Sequence, residues 1–246
     1  MAVVYSDEKS LVFEKQFECP LCNQKFRQPM VRTGKAKVIS HDNDLRAVYQ
    51  GVDVYKYDVV LCNHCGYAAT QKYFGPLAKP HRDMLREHVS SKFKPVEEVS
   101  GLLTYEEAIK RFKMVMLNAM SRQAKISEKA YICLRMAWML RGYIEQLEAE
   151  ESAAKADKIR EMELQYLELA MDGFAEARQS EMPPIAGMNE VTVDFLLAQL
   201  CYRFERYDEA SKYAQGILMS SSSSSQQKEK VRELIQNIKD SKQNEE

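Results

Sequence analysis

The pattern of apolar and polar positions changes character near residue 98. Before it, short runs of β-branched and aromatic residues are separated by turn-forming ones; after it, apolar positions recur three and four apart almost to the end. In the first part, residues 11–18 read as a short strand. Residues 54–61, carrying Val54, Tyr55, Tyr57, Val59, Val60 and Leu61, read as the clearest strand of all. Residues 30–32 and 37–40 are β-compatible pieces on either side of a turn at Thr33, Gly34 and Lys35. Pro80 opens a short helix that runs to Val89.

Residues 94–101, bounded by Pro95 and Gly101, read as a linker. Thr104 and Glu107 then stand three apart as a capping box, with Ala108, Phe112, Val115 and Met116 on one helical face behind them. A second helix is expected over 127–147, burying Ala130, Leu134, Ala137, Trp138 and Leu140. Residues 148–163, rich in Ala, Glu and Lys, are expected to remain helical and exposed. A third stripe follows at Leu164, Leu167, Ala170, Phe174 and Ala177, and Pro183 and Pro184 end it. Residues 220–225 are all serine, which predicts a flexible turn before a last amphipathic helix over 226–239 and a frayed tail.

The helical part carries a repeated half-pattern. Tyr105, Ala108 and Phe112 are echoed by Leu167, Ala170, Phe174 and Ala177. They are echoed again by Leu197, Ala198, Cys201, Tyr207, Ala210, Ile217 and Leu218. Small residues at such positions let antiparallel helices approach closely, as in tetratricopeptide (TPR) arrays, whose repeat is about 34 residues. Here Ala108, Ala170 and Ala210 are unevenly spaced, so the array is irregular. Cys133 and Cys201 lie on its apolar faces and read as small buried hydrophobes.

The candidate chemistry is concentrated in four cysteines: Cys19 and Cys22 in one Cys-x-x-Cys knuckle, Cys62 and Cys65 in another. Each knuckle sets two sulfurs on one side of a tight turn, and two knuckles complete a tetrahedron around one Zn²⁺. Asn23 and Gly66 follow the knuckles and are residue types that accept a left-handed backbone, which aims N–H groups at the sulfurs. Rubredoxin-like iron uses the same geometry; structural zinc is the expectation. The fold expected is α+β: a small antiparallel-β zinc ribbon over residues 1–98, followed by an all-α TPR-like array of helical hairpins over residues 99–246. In so small a ribbon the metal supplies much of the folding free energy.

Charge narrows the partners. The net charge is -1 and the isoelectric point about 6.5, so bulk attraction to nucleic acid or an anionic membrane is not expected. The exception is local: Lys25, Arg27, Arg32, Lys35 and Lys37 lie in a stretch with no acidic residue between Glu18 and Asp42. That stretch is the basis of an alternative, a nucleic-acid-binding regulator with Tyr49, Tyr55, Tyr57, Tyr67, Tyr73 and Phe74 as stacking groups. The same aromatics serve equally as core. No apolar run approaches the roughly 20 residues that span a bilayer. The opening residues lack the basic and apolar regions of a secretory signal, and the paired cysteines fit a reducing compartment, so a cytoplasmic location is expected.

His41, Asp42, Asp44 and Arg46 form a polar loop that could move protons or hold a hard metal, although loop polarity alone accounts for them. His64 sits inside the second knuckle but is surplus to four thiolates. His81 and His88 share a helix face without a third ligand nearby. No nucleophile–base pair or phosphate-cradling glycine loop is present, so a non-enzymatic role is expected.

The segments Phe17, Cys19, Cys22 to Phe26, then Val38 to Asp44, then Tyr57, Asp58, Cys62, Cys65, Gly66, Tyr67 to Ala69, with helices behind, resemble the bacterial family catalogued as domain of unknown function 2225. The resemblance implies a cytoplasmic bacterial protein with a zinc ribbon and helical repeats, and implies metal-ligand roles for the four cysteines. It implies no activity and no catalytic residues. Taken together, the expectation is a non-enzymatic adaptor that holds a protein or peptide in its helical groove.

Overall fold

A computed structural model describes residues 8–32 and 34–243. The expectations about the opening segment, the turn residue Thr33 and the last three tail residues therefore lie outside the described residues.

The N-terminal half is a chain of three antiparallel hairpins. After a single helical turn, α1 (Glu8–Leu11), strand β1 (Val12–Glu18) pairs with β2 (Lys25–Val31), β3 (Val38–His41) with β4 (Ala47–Tyr49), and β5 (Val59–Leu61) with β6 (Ala68–Thr70). The first and third hairpins carry a cysteine knuckle at their turns. The two β-compatible pieces around Gly34 do not pair with each other: β2 is held in full register by β1, from Val12 opposite Val31 to Glu18 opposite Lys25. With that partner taken, β3 turns to β4.

Residues 54–61 are not one strand. Val54–Tyr57 form a 3-10 turn, and only Val59–Leu61 are extended. The reason lies one residue upstream, where the Asp53 carboxylate accepts the Tyr55 N–H at 2.9 Å and starts the turn. All four turn residues are buried, so no solvent-facing side remains to specify a pleat. Within β5 and β6 the period of two does operate. Val59 and Ala68 face the core of the helices, whereas Val60 and Ala69 face the cysteines.

The rest is helical: α2 (Lys79–Leu85) with a π-turn after it, α3 (Tyr105–Ser121), α4 (Ile126–Ala149), α5 (Ala153–Ser180), α6 (Glu190–Arg203), α7 (Tyr207–Met219) and α8 (Ser225–Gln243). The capping box at the start of α3 is formed in both directions, Glu107 N–H to Thr104 Oγ1 and Thr104 N–H to Glu107 Oε2. Consecutive helices pack on one another, α4 against α5 most extensively.

Residues 148–163 are helical apart from a break at 150–152, between the end of α4 and the start of α5. The chain reverses at Glu150, Glu151 and Ser152, with Glu151 in the left-handed region at φ +57°. The reversal turns Ala156 and Ile159 inward, so this segment is half of a helical hairpin and not an exposed rod. It also shifts the buried stripe: Leu164 faces solvent and Glu163 is buried in its place. The predicted alanines Ala108, Ala170 and Ala210 all lie fully buried, on the alternate helices α3, α5 and α7.

One hydrophobic cluster runs through Val31, Tyr57 and Val59, then Phe112, Trp138 and Phe174, and on to Leu197 and Leu234; it draws on both sides of residue 98. A smaller one surrounds the cysteines with Leu21, Phe26, Val60, Tyr67, Leu85 and Val89. The segment 94–101 has no regular structure, but it is tied down: Val96 and Asn63 exchange two hydrogen bonds at 3.0 Å, and Glu98 accepts the Arg27 N–H. No helix among the described residues is long and apolar enough to cross a membrane.

Candidate metal centre

The two knuckles are copies of one backbone turn. In the first, Cys19 N–H donates to Gln24 O at 3.0 Å and Asn23 N–H to Cys19 O at 2.9 Å. In the second, Cys62 N–H donates to Tyr67 O at 2.8 Å and Gly66 N–H to Cys62 O at 3.0 Å. The fourth residue after the leading cysteine is left-handed in both, Asn23 at φ +60° and Gly66 at φ +74°. Their identities differ for a steric reason. A Cβ on residue 66 would stand 2.6 Å from the Phe93 ring, so this position requires glycine for space as well as for φ, while the first knuckle accepts asparagine.

The turns bring the sulfurs together. Cys19 Sγ lies 3.6 Å from Cys65 Sγ and Cys22 Sγ 3.7 Å from Cys62 Sγ, and all four fall within 4.8 Å of one another. Four sulfurs at the corners of a tetrahedron with zinc–sulfur bonds of about 2.3 Å would stand about 3.8 Å apart, close to the two distances found here, so the set could hold a metal ion. Backbone N–H groups face the sulfurs: those of Cys22 and Leu21 toward Cys19, and those of Cys65 and His64 toward Cys62. Such donors favour the thiolate. The neighbouring Cys19 and Cys65 sulfurs lower Cys62, while Cys62, with burial, raises Cys19. Three of the sulfurs belong to buried residues and Cys22 to a half-buried one.

Helix α3 is fastened to this centre. Asn118 Nδ2 donates to the carbonyl of Gly66 at 3.0 Å, next to Cys65. His64 points to solvent, as expected of a surplus residue. His81 on α2 and His88 on the π-turn do not join the cysteines, and among the described residues no second cluster of metal-binding type includes them.

The polar loop at His41, Asp42, Asp44 and Arg46 is the turn of the β3–β4 hairpin, and the helices close over it. Arg46 donates to both oxygens of Glu145 at 2.6 and 2.9 Å and to Asp42 at 3.2 Å. Arg141 bridges Asp42 at 2.7 Å, Asp44 at 2.7 Å and the buried Glu163 at 2.7 Å; Arg203 reaches Glu163 from α6. The Trp138 indole N–H completes the shell of Asp44 at 3.1 Å. Burial alone would raise Asp44, but the Arg141 guanidinium and the indole outweigh it and hold the carboxyl below its ordinary range. His41 stays exposed and outside these bonds.

Of the helical members of this network, Arg141 had a signal in the sequence, since it interrupts the apolar run of α4, whereas the burial of Glu163 did not show there.

The aromatic residues are core. Tyr55, Tyr57 and Tyr67 are buried and Tyr73 and Phe74 half-buried. Tyr55 packs edge-on to Trp138 and Tyr67 on Phe74. The five cations from Lys25 to Lys37 are exposed, with Arg32 lying over the Phe13 ring. Cys133 and Cys201 are buried, their thiols pushed up to about 12 and about 11 by burial.

No curated protein and no solved structure matches the chain. The model of the family described as "Uncharacterized protein conserved in bacteria (DUF2225)" matches residues 12–242, from the first residue of β1 to the last turn of α8. That span takes in the four cysteines, the hairpin turn with its ion pairs and the whole helical array, and the chain belongs to this bacterial family.

Proposed function

We propose that the protein is a cytoplasmic adaptor, without a reaction of its own, that carries a structural zinc and holds a protein or peptide partner on its TPR-like helices. The zinc assignment rests on the donor set: four sulfurs, mostly buried and within 4.8 Å of one another, with no oxygen or nitrogen donor among them. Bound there, the metal would join the first and third hairpins and organise the cluster around Phe26, Val60 and Tyr67.

The observation that carries the adaptor reading is the use made of the polar loop. Asp42 and Asp44, the carboxylates best placed for acid–base work, are both engaged by guanidinium groups. Ion pairs of that kind hold a hairpin onto helices. Free thiols at all six cysteines support a reducing compartment.

Crosslinked purification of the full-length chain from its native cells, with and without nuclease, tests the reading. A specific protein partner that survives nuclease is expected. Recovery of nuclease-sensitive RNA or DNA alone would overturn it.

The nucleic-acid reading has one observation in its favour: Lys25, Arg27, Arg32, Lys35 and Lys37 are all exposed and form no ion pair among the described residues. It requires an affinity that falls steeply with salt and is abolished by reversing the charge at Arg32 and Lys35.

A further inference from the structure

Strand β1 has a free edge. At one end of the first hairpin Arg32 N–H donates to Leu11 O at 2.8 Å, and at the other Cys19 N–H donates to Gln24 O at 3.0 Å. The register between them has no slip, so the ladder bonds fall on every second pair: Phe13 with Met30, Lys15 with Gln28 and Phe17 with Phe26. Glu14, Gln16 and Glu18 therefore turn their N–H and C=O groups away from β2. None of these main-chain groups has a hydrogen-bond partner among the described residues, and all three residues are exposed.

The opposite edge of the hairpin is closed. On β2 the outward N–H of Arg27 donates to Glu98 Oε1 at 3.0 Å, and Pro29, the next outward position, has no N–H to offer. Strand β1 carries neither device. Beside it lies a groove of about 530 Å³ between the strand and residues 71–76, with Phe17, Val60, Phe74 and Pro76 in its lining. Phe17 and Phe74 are half-buried and meet edge-on, their ring centroids 5.7 Å apart.

We propose that this edge takes up an extended peptide segment of a partner protein as a third strand, with apolar side chains at alternate positions seated on Phe17, Val60 and Phe74. The site is separate from the helical surface, so it adds to the adaptor reading and does not depend on it.

The free groups identify the guest. Three N–H and C=O pairs at every second residue of a strand, about 6.8 Å apart, are matched by the main chain of another strand. Charge narrows the choice: the side chains lining the groove include one cation and one carboxylate, Lys15 and Glu18, which suits an uncharged guest. A second copy of β1 fits worse. In an antiparallel pair of copies, the register that overlaps the whole strand sets Lys15 against Lys15. A shift of two residues in either direction sets a glutamate against a glutamate.

The test is fluorescence anisotropy of the full, metal-loaded chain with a labelled seven-residue peptide of alternating valine and threonine. Two further peptides carry N-methyl groups, one on the valine amides and the other on the threonine amides. Only one of these sets can face β1. One methylated peptide is therefore expected to bind as the parent does, and the other about tenfold or more weakly. Serine in place of valine should weaken binding by a similar factor, and raising the salt should leave it unchanged. On the protein side, Gln16→Pro copies onto β1 the proline that closes β2, and should also weaken binding about tenfold. Thermal unfolding and metal content check that the hairpin is retained; the methylated peptides leave the protein unaltered and decide the matter if it is not.

Absence of binding by the parent peptide, equal binding by the two methylated peptides, or unaltered binding by a folded Gln16→Pro variant would each overturn the proposal. Sedimentation of the chain alone tests the other occupant. A dimer that Gln16→Pro dissolves would mean that the edge pairs with a second copy, and would overturn the proposal as well.

Discussion

Asp53 shows how much one side chain decides. Its carboxylate starts the 3-10 turn by accepting from Tyr55 N–H at 2.9 Å, and it accepts from the Tyr105 hydroxyl of α3 at 3.0 Å. A Cβ on Gly142 of α4 would stand 2.2 Å from its second oxygen, so glycine there makes room for it. Burial raises its pKa to about 6, with Arg46 and Lys56 opposing. A carboxyl raised above its unfolded value of 3.8 takes up a proton on folding. Its stabilising contribution is full below pH 3.8 and is lost as pH rises through about 6. Asp53→Asn keeps an acceptor for Tyr55 and removes the charge. The variant should gain on the native protein between about pH 4 and 6.5, by up to roughly 3 kcal/mol, and then run parallel to it. Urea denaturation across that range measures this; identical pH profiles for the two proteins would contradict it. None of this was legible in the sequence, where Val54 to Leu61 has the composition of a strand and Asp53 looks like an ordinary turn residue.

Among the elements, the knuckles were the most legible, because their signal is entirely local. Two cysteines and a residue that tolerates positive φ fix the same turn wherever they occur. The capping box at Thr104 and Glu107 was readable for the same reason. The reversal at Glu150 to Ser152 was not: Ala, Glu and Lys favour helix on both sides of it, and only the packing of α5 back onto α4 selects the break. Register suffered likewise, since whether Glu163 or Leu164 faces inward depends on a guanidinium from α4 that waits for the carboxylate. The coupling between elements is testable at Asn118. Asn118→Ala leaves the buried Gly66 carbonyl without its donor and should cost about 1–3 kcal/mol. Because Gly66 adjoins Cys65, the variant should also yield its metal to a chelator faster than the native chain. Unchanged stability together with unchanged release would show that α3 does not brace the centre.

At the scale of the whole molecule, the α+β succession of hairpins and helices was legible from periodicity, and the four-cysteine cluster from cysteine spacing. What joins them was not, because the joining residues are remote in sequence: Asp42 and Asp44 meet Arg141, and Arg46 meets Glu145. Arg141→Met would leave Asp44 in the interior without a cation, while Glu163 keeps Arg203, at a cost of about 3–5 kcal/mol. Adding Asp44→Asn should recover part of that loss. Additive losses in the pair would mean that the ion pair does not hold the hairpin. The central claim, however, is that four thiolates hold one zinc ion and organise the N-terminal half around it. X-ray absorption at the metal edge of the purified full-length protein tests this most directly. Zinc with four sulfur neighbours at about 2.3 Å and no nitrogen or oxygen in the shell is expected. Iron at that edge, or a shell containing nitrogen or oxygen, would contradict it.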